Sequence, residues 1–236
     1  MRLLRLTLAV LAALPSLRRW PVQRVLWKQI YFSGIEAMPL LLFIAVAVGG
    51  IVVAQLHYQI GQSAEGSLRL LASISLSELS PLLTAIVLTA RSSSAMASEL
   101  ALMRAHGELS ALERSGVPLV DYLILPRVLG MTCAAALTTF YFALASVLAG
   151  AVGVAGFNWF YELSRLPESL SIQVLAWCLI KSLGFGAVMA LVACSRGLAA
   201  SGNAVEVPIA ASNAVIRAML ALFALDLLFI GLGKMA

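Results

Sequence analysis

Three ionisable side chains lie inside long apolar segments of the sequence, where charge is unusual. Glu78, Lys181 and Asp226 each stand about eight residues from the outer end of a predicted membrane span. At about 1.5 Å per residue, each lies about 12 Å below that boundary, so all three share one level. An isolated charge there costs roughly 2.5–3.5 kcal/mol, so we expect these side chains to point inward. The sequence therefore predicts that Lys181 pairs with Asp226, Glu78 or both, either as a structural salt bridge or as a functional polar ring.

A stripe of hydroxyl groups accompanies Glu78 in the same segment. Ser73, Ser77, Ser80 and Thr84 follow one another at i, i+4, i+7 and i+11, which predicts one shared face of a helix. Small hydroxylated residues commonly pack helices together in membranes, and they can also form a wall of a polar cavity. Both interpretations stay open from the sequence, and they are compatible with each other.

A charged amphipathic segment extends from Glu99 to Ser115. Its apolar residues are Leu100, Met103, Leu109 and Leu112, and its charged residues are Glu99, Arg104, Glu108 and Glu113. Gly107 would cost roughly 1 kcal/mol in a helix interior, so we expect the helix to break there. The segment is either a solvated helix resting on its own bundle or a helix that docks into a groove of a partner protein.

The elements that position these residues are predicted membrane spans. The chain has 236 residues, of which 61% are hydrophobic and only 11% are charged, whereas soluble domains carry about 25% charged residues. Long apolar runs between the charged clusters predict spans at residues 37–56, 70–90, 128–150, 174–195 and 214–233. The predicted fold is therefore an all-α integral membrane protein of about five transmembrane helices, forming a single domain over residues 1–236.

The distribution of basic residues predicts the orientation. Twelve of the sixteen Lys and Arg residues fall on the inner side if the N-terminus is cytoplasmic, which places the C-terminus outside. Residues 1–34 predict an interfacial helix on the cytoplasmic face, with Trp20, Trp27 and Tyr31 at headgroup level. A signal peptide is the alternative, but no small-x-small cleavage site follows the apolar residues.

The sequence offers no support for an enzyme. It lacks the phosphate-binding loop Gly-x4-Gly-Lys-Ser/Thr, so ATP hydrolysis would have to come from another subunit. Cys133, Cys178 and Cys194 are widely spaced within apolar runs, which favours small core residues over a metal set. We therefore predict no catalytic residue, metal or cofactor. The sequence has no basic patch interleaved with aromatic residues, so it gives no support for a nucleic-acid partner.

Two blocks of motifs carry a resemblance to a known family. The first block comprises Glu78-Leu79-Ser80-Pro81, Thr84-Ala85, Arg91, Ser94-Ala95, Glu99-Leu100, Leu102-Met103-Arg104-Ala105, Leu109, Glu113, Val117 and Pro126-Arg127. The second comprises Cys178-Leu179-Ile180-Lys181-Ser182, Arg217 and Leu225-Asp226. These motifs occur in this order from about Gln29 to the C-terminus. Over that range the chain resembles the MlaE family of ABC-transporter permeases, also called the YrbE family. Ser77 stands where a basic residue is frequent in that family, so a cation at this position is not carried over.

The resemblance implies a permease subunit that moves phospholipids between the inner and outer membranes of a bacterium. Such permeases sit in the inner membrane as homodimers, bind a cytoplasmic ABC ATPase and contact an extracytoplasmic ring of MCE-domain proteins. Some of these complexes also carry a STAS-domain protein. On this interpretation residues 91–122 form the cytoplasmic coupling segment, and the intramembrane charges and hydroxyl groups belong to the lipid pathway.

Residues 156–172 form the predicted outer loop. The aromatic residues there indicate an interfacial belt or a contact surface for an extracytoplasmic partner. Two other functions remain as alternatives to the permease. An ion-coupled secondary transporter could use the same buried charges, although no inverted repeat is visible. A non-transporting structural membrane subunit would leave the three intramembrane charges unexplained.

Overall fold

The computed structural model describes residues 2–60, 64–156, 160–161 and 172–233. Its α-helices, in chain order, are α1 (Arg2–Ala12), α2 (Trp20–Ser33), α3 (Met38–Ile60), α4 (Ala64–Ile74), α5 (Ser80–Leu88), α6 (Ser94–Ala105), α7 (Glu108–Arg114), α8 (Leu125–Ala155), α9 (Ile172–Gly197) and α10 (Glu206–Gly233). Within the described residues there is no β-strand, and five helical stretches are long and apolar enough to span a membrane. The predicted all-α fold with five spans is confirmed.

The five stretches are longer than the predicted spans. They cover Trp20–Tyr58, Gly66–Ala105, Val120–Gly153, Ile172–Gly197 and Glu206–Leu232. The first is longer because only a short 3-10 turn, Ile35–Ala37, separates α2 from α3. The predicted N-terminal interfacial region therefore contains two helices, α1 and α2. Trp20, Trp27 and Tyr31 are exposed on α2, and the Arg24 guanidinium lies 4.0 Å from the centre of the Trp20 ring.

The second stretch contains two π-helical segments. Ser75–Leu79 separates α4 from α5, and Thr89–Ser93 separates α5 from α6. The first of these ends two residues before Pro81, which has no N–H for an α-helical hydrogen bond and whose ring crowds the preceding turn. A third π segment, Val120–Ile124, ends two residues before Pro126. Proline thus accounts for two of the three π segments found in the described residues, because widening the helix relieves that conflict.

Helix α8 lies at the centre of the bundle and packs against α2, α3 and α9, while α9 also packs against α6 and α10. Two of the glycines that permit close approaches between helices are Gly49 and Gly186. A Cβ on Gly49 of α3 would lie 2.1 Å from the Ser146 carbonyl oxygen, and one on Gly186 of α9 would lie 2.7 Å from Thr132 Cα. Cys178 and Cys194 are buried as expected, but Cys133 is exposed on α8, so its prediction as a core residue is wrong.

Candidate functional site

The three intramembrane charges meet in one cluster. Lys181 Nζ lies 2.6 Å from Glu78 Oε2 and 3.4 Å from Asp226 Oδ1. The Lys181 side chain is 5% exposed and that of Asp226 is 12% exposed, whereas 44% of the Glu78 side chain remains accessible. The geometry is the one expected from the sequence, with Lys181 bound to both acids. We call these three residues the charge cluster.

Three separate elements position the charge cluster. Glu78 belongs to the π segment Ser75–Leu79, Lys181 to α9 and Asp226 to α10. Helix α9 contacts both of the other elements, so its lysine reaches carboxylates on either side. A charge-assisted hydrogen bond of 2.6 Å is short and strong, which fixes the ammonium next to Glu78.

A cavity of about 380 Å³ opens beside the charge cluster. Its polar lining contains Ser77, Glu78 and Lys181, and its aromatic lining contains Trp177 and Phe229, with Gln173 and Val174 near the N-terminal end of α9. A cavity lined by both ionic and aromatic side chains suits an amphipathic ligand, because each part of the ligand meets a surface of matching polarity.

The hydroxyl stripe does not form one face. Ser73 is exposed and Ser77 is partly exposed, whereas Ser80 and Thr84 are fully buried. The π segment, which contains Ser77, inserts extra backbone between Ser73 and Ser80 and rotates Ser80 and Thr84 away from Ser73. The prediction of a shared face is therefore wrong, and of these four residues only Ser77 lines the cavity beside Glu78.

The buried hydroxyl groups instead connect helices. The Ser75 hydroxyl lies 2.9 Å from that of Ser80 and 2.8 Å from that of Ser146 on α8. This chain of hydroxyl groups joins the π segment, α5 and α8 in the membrane interior. Such interhelical bonds stabilise packing by about 0.6 kcal/mol on average.

The amphipathic segment folds as α6 and α7, and it breaks where the sequence predicts. Gly107 adopts a positive φ of 75° and caps α7, a conformation that suits glycine. Leu100 is fully buried and Leu109 is 5% exposed, so both side chains pack into the protein's own core. The expectation that the apolar edge is available for docking is therefore wrong at these two residues. Met103 and Leu112 remain partly accessible.

The charged residues of this segment have varied surroundings. Glu99 Oε2 lies 3.1 Å from Arg127 Nη2, Glu108 lies 3.7 Å from His106 Nδ1, and Arg104 donates a hydrogen bond to the Leu198 carbonyl. Glu108 and Glu113 are exposed at the surface of α7. The segment therefore presents a charged outer surface over an apolar side that stabilises the bundle.

The sequence reasoning missed two aromatic residues of the cavity. Trp177 precedes Lys181 by four positions, and Phe229 follows Asp226 by three. Each thus lies on the same helical face as a member of the charge cluster, a spacing that is a usable signal for cavity walls.

The ion pair between Arg91, within the second stretch, and Glu36 was also missed. The Arg91 guanidinium binds Glu36 Oε2 and the Phe32 carbonyl oxygen, each at 2.8 Å. These bonds tie the α2–α3 junction to the π segment Thr89–Ser93. The predicted outer loop, with Phe157, Trp159 and Leu166, falls largely outside the described residues, while Phe160 and Tyr161 are described and exposed.

The bundle and its buried charges define the class of protein. The chain is a multi-pass membrane protein with an ionic cluster inside its helical bundle. Its sequence matches the family Permease MlaE over residues 26–232, and the chain belongs to this family. The resemblance drawn from the motifs is confirmed.

The chain is also similar to individual proteins. "Probable ABC transporter permease protein slr1045" of Synechocystis is 31% identical over 201 residues, which cover 83% of this chain and 76% of that protein. "Protein TRIGALACTOSYLDIACYLGLYCEROL 1, chloroplastic" of Arabidopsis thaliana is 31% identical over 152 residues, covering 63% of this chain and 43% of that protein. A probable ABC transporter permease of Rickettsia prowazekii is 25% identical over 196 residues, covering 80% of this chain and 75% of that protein.

These similarities establish the general role. The protein is an ABC-transporter permease, a membrane subunit rather than an enzyme. A permease of this type works with an ATPase partner.

Proposed function

We propose that this permease moves phospholipids between the inner and outer membranes of a bacterium, using ATP that a separate subunit hydrolyses. The observation that carries the proposal is the cavity beside the charge cluster. It combines an ionic wall at Glu78 and Lys181 with an aromatic wall at Trp177 and Phe229. A phospholipid has the same combination, with a charged headgroup next to apolar chains.

The charge cluster would meet the headgroup. Lys181 is nearly buried, but Glu78 is 44% exposed and borders the cavity, so the ion pair is reachable from one side. A headgroup with both an amine and a phosphate could exchange partners with the pair, its amine on Glu78 and its phosphate on Lys181. Ser77 adds a hydroxyl group next to Glu78, whereas Ser73, Ser80 and Thr84 would contribute only by shaping the helix.

The ATPase would dock on the outer surface of α6 and α7. Glu108 and Glu113 are exposed there, and Leu112 offers a partly accessible apolar side chain. Met103 and Glu99 would complete the surface, and Arg104 would contribute only by tying α6 to the Leu198 carbonyl. The buried Leu100 would instead transmit motion, because it packs where α6 meets Gly197 of α9.

The wider assembly follows from the family resemblance. We propose a homodimer in the inner membrane, with the N-terminus cytoplasmic and the C-terminus periplasmic. Each subunit would bind one cytoplasmic ATPase, and a ring of MCE-domain proteins would cover the periplasmic side. A STAS-domain protein is a further proposed component.

Co-purification with the ATPase tests the proposal. We expect the full chain, co-expressed with a family ATPase, to form a complex whose ATP hydrolysis is stimulated by phospholipid. Glu108→Lys/Glu113→Lys should weaken ATPase binding by about tenfold, because two exposed charges on the proposed surface are reversed. Arg18→Glu, an exposed charge reversal on the N-terminal region, is the control.

Two results would contradict the proposal. If the ATPase binds the α7 double variant as tightly as it binds the wild type, the proposed docking surface is wrong. If the complex hydrolyses ATP at the same rate with phospholipid and with detergent alone, the proposal of a phospholipid substrate is wrong.

A further inference from the structure

A second cavity lies at the predicted cytoplasmic end of the bundle, and its lining shares no residue with the cavity beside the charge cluster. It has a volume of about 430 Å³ and lies between α1, α6 and the end of α9. Its walls include two arginines, Arg5 from α1 and Arg104 from α6. No carboxylate lines this cavity among the described residues, and the acidic side chain of Glu113 lines an adjoining cavity that shares Arg104. Two cations facing one space without an acidic side chain favour an anionic ligand.

The two arginines have donors to spare. Arg5 is exposed and forms no ion pair or hydrogen bond within the part of the chain that the structure describes. Arg104 uses one N–H group to bind the Leu198 carbonyl, which orients its guanidinium at the cavity wall. A guanidinium carries five N–H donors in a fork that matches a phosphate, so most of this capacity is unused.

The rest of the cavity is largely apolar. Leu6 and Ala9 of α1 form one side, and Val120 and Leu198 form another. A free inorganic anion gains nothing from such walls, whereas the glycerol and acyl part of a lipid would bury apolar surface against them. The combination of paired arginines and aliphatic walls fits a phosphate group with an apolar substituent.

The position of the cavity agrees with this ligand. Helix α1 packs against α9 and the π segment Val120–Ile124, so it covers the side of the bundle at the end of two spans. Arginines near the ends of membrane spans attract anionic headgroups of the cytoplasmic leaflet. We propose that the cavity formed by Arg5, Arg104 and the α1 side chains Leu6 and Ala9 binds the phosphate of an anionic phospholipid.

Lipid titration of the purified full chain tests this site. Phosphatidylglycerol should bind the wild type more tightly than phosphatidylcholine, as measured by native mass spectrometry and by the thermal shift in detergent. Arg5→Gln/Arg104→Gln should weaken phosphatidylglycerol binding by at least about tenfold, because two charge-assisted contacts are lost. Arg18→Gln/Arg114→Gln removes two exposed arginines outside the cavity and should leave binding unchanged.

A variant that retains both charges separates a defined site from general electrostatic attraction. Ala9→Leu should fill the cavity and abolish the preference for phosphatidylglycerol without lowering the thermal stability of the lipid-free protein. Inorganic phosphate, added alone and in competition, identifies the source of the anion. Displacement of phosphatidylglycerol by millimolar phosphate would assign the site to the free anion, and resistance to it would assign the site to the lipid.

The proposal is wrong if phosphatidylglycerol and phosphatidylcholine bind the wild type equally. It is also wrong if the Arg18/Arg114 control variant loses as much affinity as the Arg5/Arg104 variant. Unchanged binding to Ala9→Leu would contradict the cavity itself.

Discussion

Removing the ammonium group of Lys181 gives the sharpest test of the charge cluster. Lys181→Met leaves Glu78 and Asp226 without their shared cation in the membrane interior. The lysine is 5% exposed and lies 2.6 Å and 3.4 Å from the two carboxylates. Among the described side chains, Lys181 is the one cation that pairs with both acids. Breaking a buried ion pair from one side typically costs about 3–5 kcal/mol, and we expect a loss of unfolding free energy in that range.

A neutral version of the cluster should recover most of that loss. In Glu78→Gln/Lys181→Met/Asp226→Asn no unpaired charge remains, and neutral replacements of buried ion pairs are often close to neutral in stability. The assay is an SDS titration of the purified protein in mixed micelles, followed by circular dichroism. Lys28→Met, which changes an exposed lysine on α2, is the matched control.

The same variants separate a structural role from a transport role. If the cluster only fixes helix packing, the neutral triple variant should transport lipid at the wild-type rate once its stability is recovered. If the cluster meets the headgroup, transport should fall strongly in the stable triple variant. The reasoning is refuted if Lys181→Met unfolds at the same SDS fraction as Lys28→Met.

Two further predictions concern close packing and the Glu99–Arg127 ion pair. Gly49→Ala should destabilise the bundle by about 2–3 kcal/mol in the same titration, because its Cβ would lie 2.1 Å from the Ser146 carbonyl oxygen. Gly50→Ala has open space around the new methyl group, and an equal loss there would contradict the packing argument. Glu99→Gln should cost about 1–2 kcal/mol by depriving the nearly buried Arg127 of its carboxylate, and no change in the SDS midpoint would contradict this.

The meeting of the three charges could be predicted from the sequence because a single strong constraint governs it. A charged side chain at hydrocarbon depth turns away from lipid and towards the bundle interior. Three such side chains at one depth can do so together when the lysine pairs with the two acids. The spacing of Glu78, Lys181 and Asp226 from the ends of their spans therefore predicts that the three side chains meet in the folded protein. The span count could be predicted for the same reason, since apolar length determines which segments cross a bilayer.

The faces of the second span could not be predicted because the expected period of 3.6 residues does not hold there. Ser73 and Ser80 would share a face in an uninterrupted α-helix, but the π segment Ser75–Leu79 lies between them. Pro81 is a visible signal for such a disturbance. It does not indicate which preceding residues adopt the wider helix, so the new face was not accessible to a periodicity argument.

The surroundings of α6 and α7 were only partly predictable because an amphipathic pattern does not identify what its apolar face contacts. Leu100 and Leu109 pack inside the same chain. A Cβ on Gly197 would lie 2.6 Å from Leu100 Cβ, so α6 and α9 approach closely at this point. That contact joins residues almost a hundred positions apart, and local spacing carries no information about it.

ATP-dependent transfer of labelled phospholipid by the reconstituted complex tests the central claim most directly. The permease and its co-purified ATPase would be placed in proteoliposomes that contain fluorescent phospholipid, with periplasmic partners and acceptor vesicles outside. We predict that ATP increases the transfer rate with the wild-type permease and that the stable neutral variant of the charge cluster abolishes the increase. Transfer at the same rate with and without ATP, in a complex that still hydrolyses ATP, would contradict the assignment as a phospholipid permease.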